Sequence, residues 1–126
     1  MEYSERAMPR LVPQVALSKH KPEELRRMVK SVYANHPILN NRGELAQRAR
    51  LFQAVGHEVR LTILALLELE ELCFCDIIEA LGVPASTVAH HLGMLEDAGA
   101  IVRKENGKYT SFTPNKDLIT RHRVLQ

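Results

Sequence analysis

The sequence predicts a mainly α-helical domain closed by a β-hairpin wing, the winged helix-turn-helix arrangement. Three observations carry this reading. Two short helical patterns flank a tight turn at Gly82, which is the order of a helix-turn-helix. Directly after the second, Asn106-Gly107 lies between two extended, β-rich runs, the strongest short-range hairpin signal. The length, 126 residues, is that of one domain with an ordinary core and little room for a catalytic cleft between domains.

Taken in order, residues 1–20 carry three early charges, two prolines and no sustained period, so they are expected to form a flexible arm. A helix starts at Pro22, with proline at its first position and Glu23 and Glu24 on the positive end of its dipole, and stops before Pro37. Leu25, Met28, Val29, Val32 and Tyr33 form a narrow apolar stripe along it. Such a stripe with a charged back needs a cover, and residues 21–40 are therefore expected to be a dimerisation helix. A second helix spans Glu44 to Val55, with Leu45, Ala49, Phe52 and Val55 inward, and Gly56 breaks it. "HEVRLTILALLEL" is apolar on nearly every side and is expected to run through the core. "CFCDIIEALG" makes a short helix with Phe74, Ile77, Ile78 and Leu81 as its buried stripe. After the turn, Ser86 is expected to cap "STVAHHLGMLEDAG", which closes at Gly99. A two-residue turn at Asn106-Gly107 sets Glu105 opposite Lys108, Arg103 opposite Thr110 and Ile101 opposite Phe112. The winged domain is thus expected over residues 41–114, followed by a short C-terminal segment, 115–126, of one or two helical turns.

The formal charge of +2 is too small to name a partner, but its layout is informative. No Lys or Arg occurs between Leu61 and Val102, and basic residues cluster on both sides. A module of this kind places the exposed side of its second helix in the major groove of double-stranded DNA and lets the wing reach phosphates. The groove-facing set is Ser86, Thr87 and His90, with Gly93 allowing close approach. His91 stands beside that set but is better read as a packed, hydrogen-bonded residue of the module. Arg103, Lys104 and Lys108 supply the wing's charge. Reading a two-fold operator takes two such helices about 34 Å apart, so a homodimer is expected. No apolar run approaches the roughly 18 residues of a membrane span, and the N-terminus lacks a secretory apolar region. A cytoplasmic location with reduced thiols is expected. Enzyme readings find no nucleophile elbow and no phosphate loop, so none is expected.

Taken together, "VRLTIL", "ELCFCDI", "STVAHHLGMLEDAGAI" and "GKYTSF" make roughly residues 44–114 similar to the ArsR/SmtB metal-sensing repressors. The resemblance implies a homodimeric winged-helix repressor that leaves its operator when a metal ion or metalloid binds. On this pattern Cys73 and Cys75, within "ELCFCD", are the candidate ligands of a soft inducer: arsenic(III), cadmium, lead or zinc.

The residues support a ligand role on their own. Cys75 falls off the buried stripe, so core filler explains it poorly. Positions i and i+2 of a helix lie about 200° apart, so both sulfurs reach one ion only if Cys73 stands outside the helix or its first turn is distorted. Two sulfurs are too few for tetrahedral zinc. Further ligands are sought in Asp76, or in His20 and His36 of the partner's N-terminal segment. Two other readings stay open: a ligand-independent winged-helix factor with structural cysteines, and a regulator responding to thiol oxidation.

Overall fold

Pro22, Glu23 and Glu24 open α1 (Pro22–Asn35), as the proline and the two acids require, and the chain leaves it through a 3-10 turn at Pro37–Asn40. The computed structural model describes residues 18–126, so most of the arm expected over residues 1–20 lies outside the described residues. The chain divides into two compact units, residues 1–46 and 47–126. In the first, α1 has no buried residue: Met28 is 53% exposed, Leu25 and Val32 are exposed as well, and Val29 and Tyr33 are half-buried. The Asn40 side-chain amide donates to the Tyr33 carbonyl at 3.0 Å and ties the 3-10 turn back to the helix.

α2 runs from Arg42 to Val55, and its buried residues are Leu51, Ala54 and Val55. Phe52 and Ala49, expected inward, are exposed, because the apolar face turns onto Leu51 and Ala54 instead. Phe52 packs edge-on against the His122 ring, 5.6 Å between centroids. α3 (Glu58–Leu69) is opened by His57, whose Nδ1 accepts from the Val59 N–H at 3.1 Å. The expectation that α3 is buried all round is corrected. It presents one face, Ile63, Leu64 and Leu67, to the core, while Ala65 and Leu69 are exposed.

Next comes a two-residue strand, β1 (Leu72–Cys73), then α4 (Phe74–Leu81), the glycine turn, and α5 (Ala85–Asp97). Gly82 closes α4 in the left-handed region, φ +65°, which a residue without Cβ adopts freely. The cap of α5 also differs from expectation. Its N-cap is Pro84, whose carbonyl accepts from the Thr87 and Val88 N–H groups, and Ser86 lies inside the first turn with an exposed side chain. Proline already fixes φ at −57° with extended ψ, so the helix starts without a side-chain cap.

The hairpin forms with its turn one residue later than expected. β2 (Ile101–Asn106) and β3 (Tyr109–Pro114) pair antiparallel with Asn106 opposite Tyr109, Arg103 opposite Phe112 and Ile101 opposite Pro114. The loop is Gly107-Lys108. Only Gly107 takes a positive φ, +60°, in keeping with a turn of the II′ type, which needs its glycine first. β1 adds to the other edge of β3, Cys73 opposite Ser111, giving the order β1-β3-β2. Asn115 caps α6 (Lys116–Arg121), and Ile119 of α6 enters the core with Ile63, Leu64, Leu67, Ile77, Val88, Leu92, Leu95 and Phe112. No helix among the described residues is long and apolar enough to cross a membrane.

Candidate nucleic-acid interface and thiol cleft

α5 buries Val88, Leu92 and Leu95 against the core, at 0%, 2% and 0% exposure, and this fixes which side faces out. Ser86, Ala89 and His90 are exposed and Thr87 is half-buried, so the expected groove-facing set lies on one open surface. A Cβ built on Gly93 would meet nothing within 4 Å. Packing within the chain therefore does not demand glycine there.

His91 stands apart from that surface. It is 6% exposed, and its Nδ1 lies 3.1 Å from an Arg60 guanidinium nitrogen. Arg60 is itself buried and donates through Nε to the Ala54 carbonyl. That carbonyl belongs to the last turn of α2, where helix geometry leaves it without an internal partner. One guanidinium thus closes α2 and braces α5. The Arg60 donor requires an unprotonated Nδ1, and burial, followed by the charges of His57, Arg60 and His90, pushes the His91 pKa down. The His57 and His90 rings lie 4.8 and 5.5 Å from that of His91. As a DNA contact His91 is thereby corrected: its ring is spent on the brace. Arg60 was not singled out by sequence, since a lone basic residue on an apolar helix reads as a solvent contact.

Carboxylates engage two of the three expected wing cations. The Arg103 guanidinium makes two contacts of 3.1 Å with Glu96 of α5, one of 3.8 Å with Glu105, and sits 5.2 Å over the Phe112 ring. Lys104 meets Glu71 at 3.2 Å, and Glu71 also accepts from the Ser111 hydroxyl at 2.8 Å. The Ser111 hydroxyl, then Lys104, hold the Glu71 carboxyl below its usual range. Lys108, at the hairpin tip, is exposed and makes no ion pair among the described residues.

The cysteines sit where strand becomes helix. Cys73 ends β1 and is the N-cap of α4, so it stands outside the helix as two-sulfur binding demands. It is half-buried, and Cys75 in the first helical turn is exposed. The Asp76 carboxylate accepts from the Cys73 N–H at 3.0 Å, the reciprocal half of a capping box. The Cys73 thiol, then that N–H, pull the Asp76 carboxyl below its usual range. Both cysteines line one cleft of about 340 Å³. Its apolar wall comes from Phe74, Ala89, Leu92 and Phe112, and its rim carries Arg103, Lys108, Tyr109 and Thr110. Recognition helix, wing and thiols therefore meet at one place.

The other proposed ligands are not brought to it by the described residues. His20 pairs with Glu24 at 3.5 Å and His36 ends α1, both in the first unit. Among the described residues, no group of three His, Cys, Asp or Glu side chains is arranged to hold a metal ion. Asp117 is paired with Arg121.

Comparison with known proteins bears on this geometry. Residues 57–103 match the model described as bacterial regulatory protein, arsR family. An uncharacterized HTH-type transcriptional regulator of Methanocaldococcus jannaschii is 38% identical over 65 residues, 51% of this chain and 73% of that protein. The arsenical resistance operon repressor of Escherichia coli K12 is 36% identical over 64 residues, 50% of this chain and 55% of the repressor, so the match spans about half its length. A homodimeric winged helix-turn-helix DNA-binding domain from Mycobacterium bovis, a possible ArsR-family regulator solved by NMR, superposes with a TM-score of 0.58 at 27% identity. That match covers 62% of this chain and 72% of the other.

Proposed function

The chain belongs to the arsR family of bacterial regulatory proteins, and we propose that it acts as a homodimeric repressor of double-stranded DNA whose Cys73 and Cys75 sense a soft ion or metalloid. The observation that carries this reading is the shared cleft: both thiols border the same space as Ala89 of the recognition helix and Arg103 and Lys108 of the wing. Ser86, Thr87 and His90 read base edges, and Lys108 takes phosphate.

The donor set fits a thiophilic inducer held mainly by two sulfurs, with Asp76 at hand, and it falls short of the four ligands of closed tetrahedral zinc. Arsenic(III), cadmium and lead remain the inducers to test, and the arsenical repressor of E. coli is a relative. Charge cannot release DNA, since an added cation attracts phosphate. Geometry can. Drawing the two sulfurs together acts on the N-cap of α4 and on β1, and β1 is paired with β3 of the wing.

Titration of a selected operator complex with arsenite, cadmium and lead tests this. Wild type is expected to release DNA, while Cys73→Ser and Cys75→Ser keep DNA affinity and lose the response. If both variants release DNA at the wild-type ion concentration, a ligand-independent factor takes the place of the sensor.

A further inference from the structure

The chain contains two cysteines, so each thiol site has two sulfurs to offer. Pooling the partner's pair fails on distance, because each pair borders its own recognition helix and those helices must stand about 34 Å apart on DNA. Trivalent arsenic forms three bonds. Inorganic arsenous acid on two sulfurs keeps a hydroxyl, whereas an arsenical with one carbon substituent is complete with two.

The cleft beside the thiols suits such a substituent. Its wall is apolar, with Phe74, Ala89, Leu92 and Phe112. Its volume, about 340 Å³, exceeds the roughly 150 Å³ that suffices for benzene in an apolar cavity. Its electrostatics also argue against a bare cation. The ionic side chains on its lining are Arg103 and Lys108, both positive. The nearby carboxylates are otherwise engaged, Asp76 on the Cys73 N–H and Glu71 on Lys104 and Ser111.

Resting on the sensor reading above, we propose that the site takes a neutral mono-organic trivalent arsenical, arsenic on the sulfurs of Cys73 and Cys75 and the organic group in the cleft. The reaction is R–As(OH)2 with two thiols giving R–As(S–Cys)2 and two waters. Two As–O and two S–H bonds break, two As–S bonds form, and each departing hydroxyl leaves with a thiol proton. Arsenic stays trivalent, so no oxidant or reductant is needed.

Full-length reduced protein, treated with phenylarsine oxide, sodium arsenite or cadmium chloride, provides the test by intact-mass spectrometry and by competition with a small dithiol. The expected result is one phenylarsenic per chain bridging both sulfurs, absent as a bridged adduct in Cys73→Ser and Cys75→Ser. Relative to the competing dithiol, it should be held about tenfold more tightly than arsenite, the contribution of burying the ring. Ala89→Trp, which fills the cleft, should remove that advantage and leave arsenite exchange unchanged. If arsenite or cadmium takes both thiols as tightly as phenylarsine oxide, or if Ala89→Trp changes nothing, the organic ligand is ruled out and the sensor reading stands. If no probe occupies both thiols, both fall.

Discussion

Arg60 and His91 show how much of the interface depends on residues that never touch it. Removing the guanidinium leaves the Ala54 carbonyl and the His91 Nδ1 unsatisfied. Each buried orphan costs about 1–3 kcal/mol. Arg60→Met should therefore lower unfolding free energy by an amount of that order and weaken DNA binding, although the residue is buried. The same contact makes stability depend on pH. The folded His91 pKa lies below the ordinary histidine value. As pH falls below about 6.5, the unfolded chain takes up its proton first, so stability is complete above that pH and declines beneath it. His91→Gln retains an acceptor for Arg60 and does not titrate. Urea unfolding at pH 7.5 and 5.5 should show a smaller loss for the variant than for wild type. The remaining slope has a further source in His122, which burial and then Arg48 and Arg121 also push down. An equal loss in variant and wild type would remove His91 from the account.

At the scale of elements, the wing divides its cations by partner. Arg103 locks β2 to Glu96 of α5, Lys104 locks it to Glu71, and Lys108 alone of the three projects unpaired from the tip. Lys108→Ala should thus flatten the salt dependence of DNA binding by about one unit. Lys104→Ala should change it less and lower stability slightly, as an exposed pair allows. Equal slope changes for the two would show that the Glu71 pair opens on DNA.

These partners mark the limit of what the chain reveals in one dimension. α1, the glycine turn, α5 and the hairpin follow from proline, glycine and apolar spacing, all local signals. Cys73 outside the helix and Cys75 off the buried stripe were legible for the same reason. β1 was not, because two residues have no period and become a strand only through pairing with β3, some 40 positions away. The ion pairs of Arg103 and Lys104 and the burial of Arg60 are likewise made by distant residues. The hairpin register was missed at one point, where Asn-Gly signals a turn but the backbone places glycine first in it.

For the whole molecule, the open stripe of α1 is the surface most in need of a partner. Leu25, Met28 and Val32 are exposed in the single chain, and the M. bovis relative is a homodimer. Deleting residues 1–40 should weaken or abolish dimerisation in analytical ultracentrifugation; an unchanged dimer would place the contact elsewhere. The central claim is that occupying the thiols and holding DNA oppose each other. Linkage requires that opposition to be reciprocal, with couplings in such systems of roughly 5–150-fold. The direct measurement is the affinity of the thiol pair for its inducer in free protein and in the operator complex, alongside operator affinity with and without saturating inducer. The account predicts that DNA weakens inducer binding by the same factor by which inducer weakens DNA binding, and that Cys73→Ser abolishes both effects. Equal inducer affinity on and off DNA would contradict it.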